Sequence, residues 1–194
     1  ANAIEIMTNW HKQGWQPEQA EYEASVALFT SGKAAFHMNG VWEVPTMVDM
    51  AEKGTLGFDW GAVQIPTLLG TTATWADSHA FAIPQGTEMS PEKRAAVMTA
   101  IGWMEKNSIS WAGAGHIPAY KPVATSDEFG EMEPNATYSS LAETAAYDPR
   151  SPIAGVASPV YDAAINIISP AMHGYLEPAQ AAQQMKDELQ SKLQ

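Results

Sequence analysis

Short apolar stripes, broken repeatedly by glycine and proline, pattern the chain. The first segment reads as helical up to a break at Gly14. Tyr22, Val26 and Phe29 fall at i, i+4 and i+7 on one helix face. Ser31-Gly32 signals the C-cap of that helix. Ala34-Ala35-Phe36-His37-Met38 is short and apolar and reads as a buried strand, followed by a turn at Asn39-Gly40. A helix is expected through Pro45, Met47, Val48 and Met50, ending near Gly54. Residues 57–69 read as extended, through Phe58, Trp60, Ala62, Val63 and Ile65 to Pro66. The Gly/Thr-rich loop 70–74 leads to Trp75, and Ala80-Phe81-Ala82-Ile83 is a further strand candidate stopped by Pro84.

The second half reads as mainly helical. Ser90 as N-cap and Pro91 at the first helical position start a helix whose buried stripe is Val97, Ile101 and Met104. A short helix over 108–112 should end at Gly113 or Gly115. Residues 121–150 read as mixed helix and loop. Over 159–172 two stripes, Val160/Ala164/Ile167/Ala171 and Tyr161/Ile165/Ile168/Met172, predict a helix packed on two faces. Ser169-Pro170 should kink it or end a turn. Pro178 starts the last helix, with Ala182, Met185, Leu189 and Leu193 facing in. Strand candidates alternating with helices give an α/β class.

Composition narrows the function classes. The 194 residues include 10 Lys plus Arg and 22 Asp plus Glu, a net charge of −12. That charge repels phosphate backbones and anionic membranes, so nucleic acid is excluded as a partner. The absence of cysteine excludes disulfides, thiolate metal sites and a Cys nucleophile. Seven Trp, ten Met and 45% hydrophobic residues argue against disorder. No apolar run reaches the roughly 18 residues of a bilayer span. Residues 1–5 carry no basic region and no apolar core, so no signal peptide is expected there.

Familiar catalytic motifs are missing: G-x-S-x-G, G-x-x-x-x-G-K-[ST] and H-E-x-x-H. Asp77-Ser78-His79 does not read as a triad, because adjacent residues cannot form the linear relay. His11, His37, His79, His116 and His173 have no metal-ligand spacing, so neither metal nor cofactor is expected. Aromatic residues beside turns are present instead. Trp42 follows Asn39-Gly40, Trp75 precedes Asp77, and Trp111 precedes Gly113-Ala114-Gly115-His116. A sugar offers an apolar C–H face for aromatic stacking and a hydroxyl rim for Asp, Asn, His or backbone groups.

On these residues the chain resembles a known family. Phe29-Thr30-Ser31-Gly32-Lys33-Ala34-Ala35-Phe36-His37-Met38-Asn39-Gly40-Val41-Trp42 is similar to the F-x-x-G-K-A-A-M-x-x-N-G-x-W signature of extracellular solute-binding proteins of carbohydrate ABC transporters, the maltose- and multiple-sugar-binding type. Gly61-Ala62-Val63-Gln64-Ile65-Pro66 resembles that family's inter-lobe strand. Trp111-Ala112-Gly113-Ala114-Gly115-His116-Ile117-Pro118 resembles its W-x-x-x-G-x-x-P turn. Ser158-Pro159-Val160-Tyr161 through Glu177-Pro178-Ala179-Gln180-Ala181-Ala182 resembles its C-terminal helix pair.

The resemblance implies a periplasmic-binding-protein-like α/β fold of two lobes, of which this chain is the later part. Residues 1–66 would belong to the second lobe, 67–124 to a returning segment of the first, and 125–194 to the rest of the second. Such a piece would expose apolar surface unless the N-terminal part of the same protein covered it. The implied ligand site is Asn39, Gly40, Trp42, Trp75, Asp77, His79, Gly115, His116 and Tyr161. Alternation along an extended chain places Trp75, Asp77 and His79 on one side. Arg150, isolated among acids and prolines, is expected in a salt bridge, and Glu43 as a helix N-terminal charge.

With no basic cluster beside Trp42 and Trp75, the expected ligand is a neutral sugar, oligosaccharide or polyol. The implied role is binding and delivery to a membrane permease, without catalysis, in a periplasm or lipid-anchored outside a cell. The alternative class is a fragment of a carbohydrate-active enzyme with an aromatic cleft. It would need two facing carboxylates, for which Asp77 and Glu43 are the available pair.

Overall fold

The computed structural model describes residues 1–18, 20–67 and 70–193. The molecule is mixed but helix-rich, 52% helical and 3% strand. In chain order the elements are α1 (Asn2–Lys12), α2 (Tyr22–Thr30) and a 3₁₀ turn (Val41–Glu43) running into α3 (Val44–Glu52). Then come β1 (Thr74–Trp75), α4 (Pro91–Lys106), α5 (Ile109–Ala112), α6 (Lys121–Ala124), α7 (Asp127–Gly130) and α8 (Asn135–Tyr138). A 3₁₀ turn (Ser139–Glu143) leads to β2 (Ala145–Ala146). The chain ends with α9 (Pro159–Ala163), a π-helical turn (Ala164–Ile168), α10 (Ser169–Met172) and α11 (Pro178–Lys192).

The helix stops follow the local chemistry of their sequences. At the end of α2, Gly32 has φ +71°. Its N–H bonds to the Phe29 carbonyl at 2.9 Å, and the Lys33 N–H to the Leu28 carbonyl at 2.9 Å. This pair of bonds satisfies carbonyls that the last helical turn leaves open. The same closure recurs at Gly14, Gly54 and Gly174. At the other end of a helix, the Ser90 hydroxyl accepts from the Lys93 N–H at 3.2 Å, ahead of Pro91.

The core is built mainly by the two ends of the chain. Ile4 of α1 packs with Ala163, Ile167, Ala171 and Ala181, and Ile168, Leu176, Ala182, Met185 and Leu189 close around them. Buried Thr8 has its hydroxyl 2.8 Å from the Ile4 carbonyl and 2.9 Å from the Ala171 carbonyl, so its polar atom is satisfied inside that core. Of the expected inward stripe of α11, Ala182, Met185 and Leu189 pack and Leu193 is exposed.

Several expectations are corrected. The segments 34–38 and 80–83 are not strands, and Phe36 is 91% exposed rather than buried. Residues 57–67 form no ladder, and Val63 is exposed; residues 68 and 69 of that segment lie outside the described residues. The sheet among the described residues is a single parallel pair, Thr74 opposite Ala145 and Trp75 opposite Ala146. A strand exists only with a ladder partner, and a run of four or five apolar residues cannot specify one. Helix α4 forms as expected, but none of its residues is buried, and Met104 is exposed. The helix over 159–172 buries Ile167 and Ala171 of its first stripe and Ala163 beside them, Ile168 of the second stripe packs on the same core, and Tyr161 and Ile165 stay exposed. It widens into a π turn ahead of Pro170 instead of breaking, which accommodates a ring with no N–H to donate.

The core assignment makes a contrast in one experiment. Ile167→Ala is expected to destabilise the protein by about 2–5 kcal/mol. Leu193→Ala should change stability by under about 0.5 kcal/mol. Urea unfolding of both variants checks the pair.

Candidate functional site

The site is assembled where two turns touch. The 39–42 turn carries Asn39, Gly40 and Trp42 into α3, and the 113–116 turn follows α5. Gly115 is buried with φ +89°, and a Cβ there would lie 1.9 Å from the Val41 carbonyl oxygen. Only glycine permits both this conformation and this approach. The far side of the turn is held by Tyr138, whose hydroxyl donates to the Gly115 carbonyl at 2.5 Å, and by Asn135, whose Nδ2 donates to the Ala112 carbonyl at 2.7 Å. Burial pushes the Tyr138 phenol up to about 12, so it stays a donor throughout the physiological range.

Trp42 is fixed in place and half open. Its ring lies over Gly40, where a Cβ would come within 2.1 Å of it. Its Nε1–H donates to the Tyr22 hydroxyl at 2.8 Å, and that hydroxyl donates to Glu43 Oε1. Asn39 Nδ2 also reaches the Tyr22 oxygen, at 3.4 Å, while Asn39 Oδ1 accepts from the Gly40 N–H at 2.8 Å. The indole's polar atom is thereby satisfied while 54% of the residue remains accessible. Such a ring can stack a flat apolar face without leaving a donor unpaired. Tyr22 was legible only as a position on a helix face, because its partners lie about a helix and a loop away in sequence. Glu43 accepts from Tyr22 rather than serving only as a helix-end charge.

Across the Gly115 contact sits a second aromatic group. Trp111 and His116 stack with centroids 4.7 Å apart at 12°. His79 meets both edge-on, 5.4 Å from Trp111 and 5.3 Å from His116. Desolvation, and then the nearby charge of His79, lower the pKa of His116. Among the described residues no group of three His, Asp or Glu could hold a metal ion.

The remaining expected residues divide. Trp75 is half exposed and its Nε1–H donates to Asp148 Oδ1 at 3.1 Å; Asp77 lines an open cleft with Asp148 and Arg150. Thus the segment 75–79 serves two places: Trp75 and Asp77 meet the 147–155 loop, and His79 meets Trp111 and His116. Tyr161, at the exposed start of α9, shares no side-chain hydrogen bond or aromatic contact with the others among the described residues. The expected salt bridge of Arg150 is absent: the ion pair among the described residues joins Lys53 and Asp49 at 2.8 Å. Its neighbours in sequence made it look paired, but its position along the 147–155 loop places it at the cleft. No protein-family model matches the chain, and no curated protein matches it.

Two predictions follow from the geometry. Gly115→Ala forces a methyl into the Val41 carbonyl at positive φ, and should destabilise the protein by about 1–3 kcal/mol in thermal or urea unfolding. His116 should titrate below its ordinary value of about 6.5, favouring the neutral ring in the folded state. Its contribution to stability is therefore full above pH ~6.5 and is lost as pH falls toward its folded-state value. His79→Gln removes one of the two causes and should raise the His116 midpoint, read by NMR titration of the ring protons.

Proposed function

We propose that the protein is the substrate-binding component of an ABC importer that captures a neutral sugar or oligosaccharide and hands it to a membrane permease. In this reading the chain is the later part of a two-lobe α/β binding protein, with residues 1–66 and 125–194 in the second lobe and 67–124 returning to the first. The observation that carries it is the contact of the 39–42 turn with the 113–116 turn. Two of the motifs on which the resemblance rests meet there, and each brings a half-exposed tryptophan, Trp42 and Trp111, to the junction. Half-exposed indoles with Asn39, His79 and His116 near them suit a ligand with an apolar face and a polar rim.

The exposed apolar surface supports the same reading. Trp103 on α4, Val63 and Phe36 are all more than half accessible. An earlier part of the same protein, packing against 34–38, 57–67 and α4, would cover them. Capture then proceeds by closure: the sugar stacks on one lobe's aromatics, the chain near 61–67 and 124 bends, and the other lobe completes the hydrogen bonds. No bond is made or broken. The glycosidase alternative finds no support in the carboxylates, since Glu43 accepts from Tyr22 and Asp77 lies with the 147–155 loop. Release into a periplasm, or anchoring by lipid outside the cell, belongs to this proposal. Among the described residues no helix is long and apolar enough to cross a membrane.

Calorimetry and thermal-shift measurements on the full-length protein test the proposal. Glucose, maltose, trehalose, sucrose and cellobiose form the panel, and at least one should bind and raise the melting temperature. Trp42→Ala and Trp75→Ala should each weaken that binding at least about tenfold. Unchanged affinity in both variants, or turnover of chromogenic glycosides, would sink it.

A further inference from the structure

The open cleft between the chain after β1 and the 147–155 loop has about 260 Å³ of volume. Ala76, Asp77, Tyr147, Asp148, Arg150 and Gly155 are among the residues that line it. Asp148 is already engaged on both oxygens. Oδ1 accepts from the Trp75 indole at 3.1 Å and Oδ2 from the Gly155 N–H at 3.0 Å. That carboxylate ties the loop to β1 and closes the loop on itself, which fixes the stretch carrying Tyr147 and Arg150 beside Asp77.

Asp77 and Arg150 are left with unused capacity. One Asp77 oxygen accepts from the Ser78 N–H at 2.8 Å, and the other has no partner among the described residues. Arg150 forms no ion pair within 4.0 Å among the described residues, although Asp77 and Asp148 line the same cleft. A carboxylate only accepts and a guanidinium only donates. A hydroxyl does both, so two neighbouring hydroxyls can donate to one and accept from the other. Asp77 and Asp148 against Arg150 leave the cleft at a formal charge of −1, which disfavours a carboxylated or phosphorylated ligand. Arg150 in turn disfavours an amine.

We propose that Asp77 and Arg150 bracket a subsite for a vicinal diol of an uncharged sugar, with the exposed ring of Tyr147 beside it and the Asp148 carboxylate, bonded to Trp75 and Gly155, as the positioning element. This rests on the sugar-binding reading above and assigns to it a hydroxyl-recognising pair. Asp77 accepts one hydroxyl proton, and the Arg150 guanidinium donates to the adjacent hydroxyl oxygen. Asp148→Asn acts differently from the other two changes, because it weakens the loop anchor without removing a ligand contact.

Calorimetry on the full-length protein, using the best binder of the neutral panel with glucuronate and glucosamine as charged comparators, tests the subsite. Arg150→Met and Asp77→Asn should each weaken the neutral sugar roughly tenfold or more, the scale of one charge-assisted hydrogen bond. Both comparators should bind more weakly than glucose. Asp148→Asn should lower affinity and also shift the Trp75 indole N–H resonance in the absence of sugar, a signal assigned by its loss in Trp75→Phe; a purely structural surface change would leave that resonance alone. Full affinity in both Arg150→Met and Asp77→Asn, with Trp42→Ala still defective, overturns the subsite and leaves the sugar-binding reading standing. Tighter binding of glucuronate than of glucose overturns the assignment to an uncharged ligand. No binding by any neutral sugar overturns both.

Discussion

The arrangement depends on one close approach, the Gly115 backbone against the Val41 carbonyl. A side chain at 115 would collide with that oxygen, so the absence of a Cβ is what lets the two turns touch. Everything aromatic at the junction follows from it. Trp42 projects from one turn, His116 from the other, Trp111 from α5 just before it, and His79 packs against the second pair. The contact is supported from below by Tyr138 and Asn135, both buried and both bonded to carbonyls of the 112–115 stretch. Buried polar groups with satisfied partners specify one geometry, because an alternative packing would leave them unpaired.

A second tie acts at greater sequence distance. The Asp148 carboxylate accepts from the Trp75 indole, 73 residues away in sequence, and from the backbone of its own loop. The parallel pairing of β1 with β2 lies immediately beside it. The strand pair among the described residues is thus two residues long but is reinforced by a side-chain bond at its end.

The apolar surface divides unevenly. The α1, α9, α10 and α11 core buries small residues such as Ala163, Ala171 and Ala181 completely, which brings those helices close. Helix α4 buries nothing, although it has a serine cap, a proline start and an apolar stripe. Its start is satisfied locally, whereas its stripe needs a neighbour that the described residues do not supply. Trp103 on this well-formed helix accordingly stays 64% exposed.

What was legible in the sequence is what local chemistry decides. Glycine at the ends of α1, α2 and α3, and Ser-Pro at the start of α4, act on carbonyls and N–H groups within five residues, so their outcome is written in adjacent positions. The inward stripe of α11 was legible through Leu189 for the same reason of period. Tertiary structure alone decided which short apolar runs became strands, since a ladder partner lies anywhere in the chain and 34–38 and 80–83 meet none among the described residues. It alone brought Tyr22 to Trp42 and Asp148 to Trp75, because a hydrogen bond is set by spatial approach and not by spacing. It also left Arg150 at an open cleft, where its acidic sequence neighbours had pointed to a salt bridge.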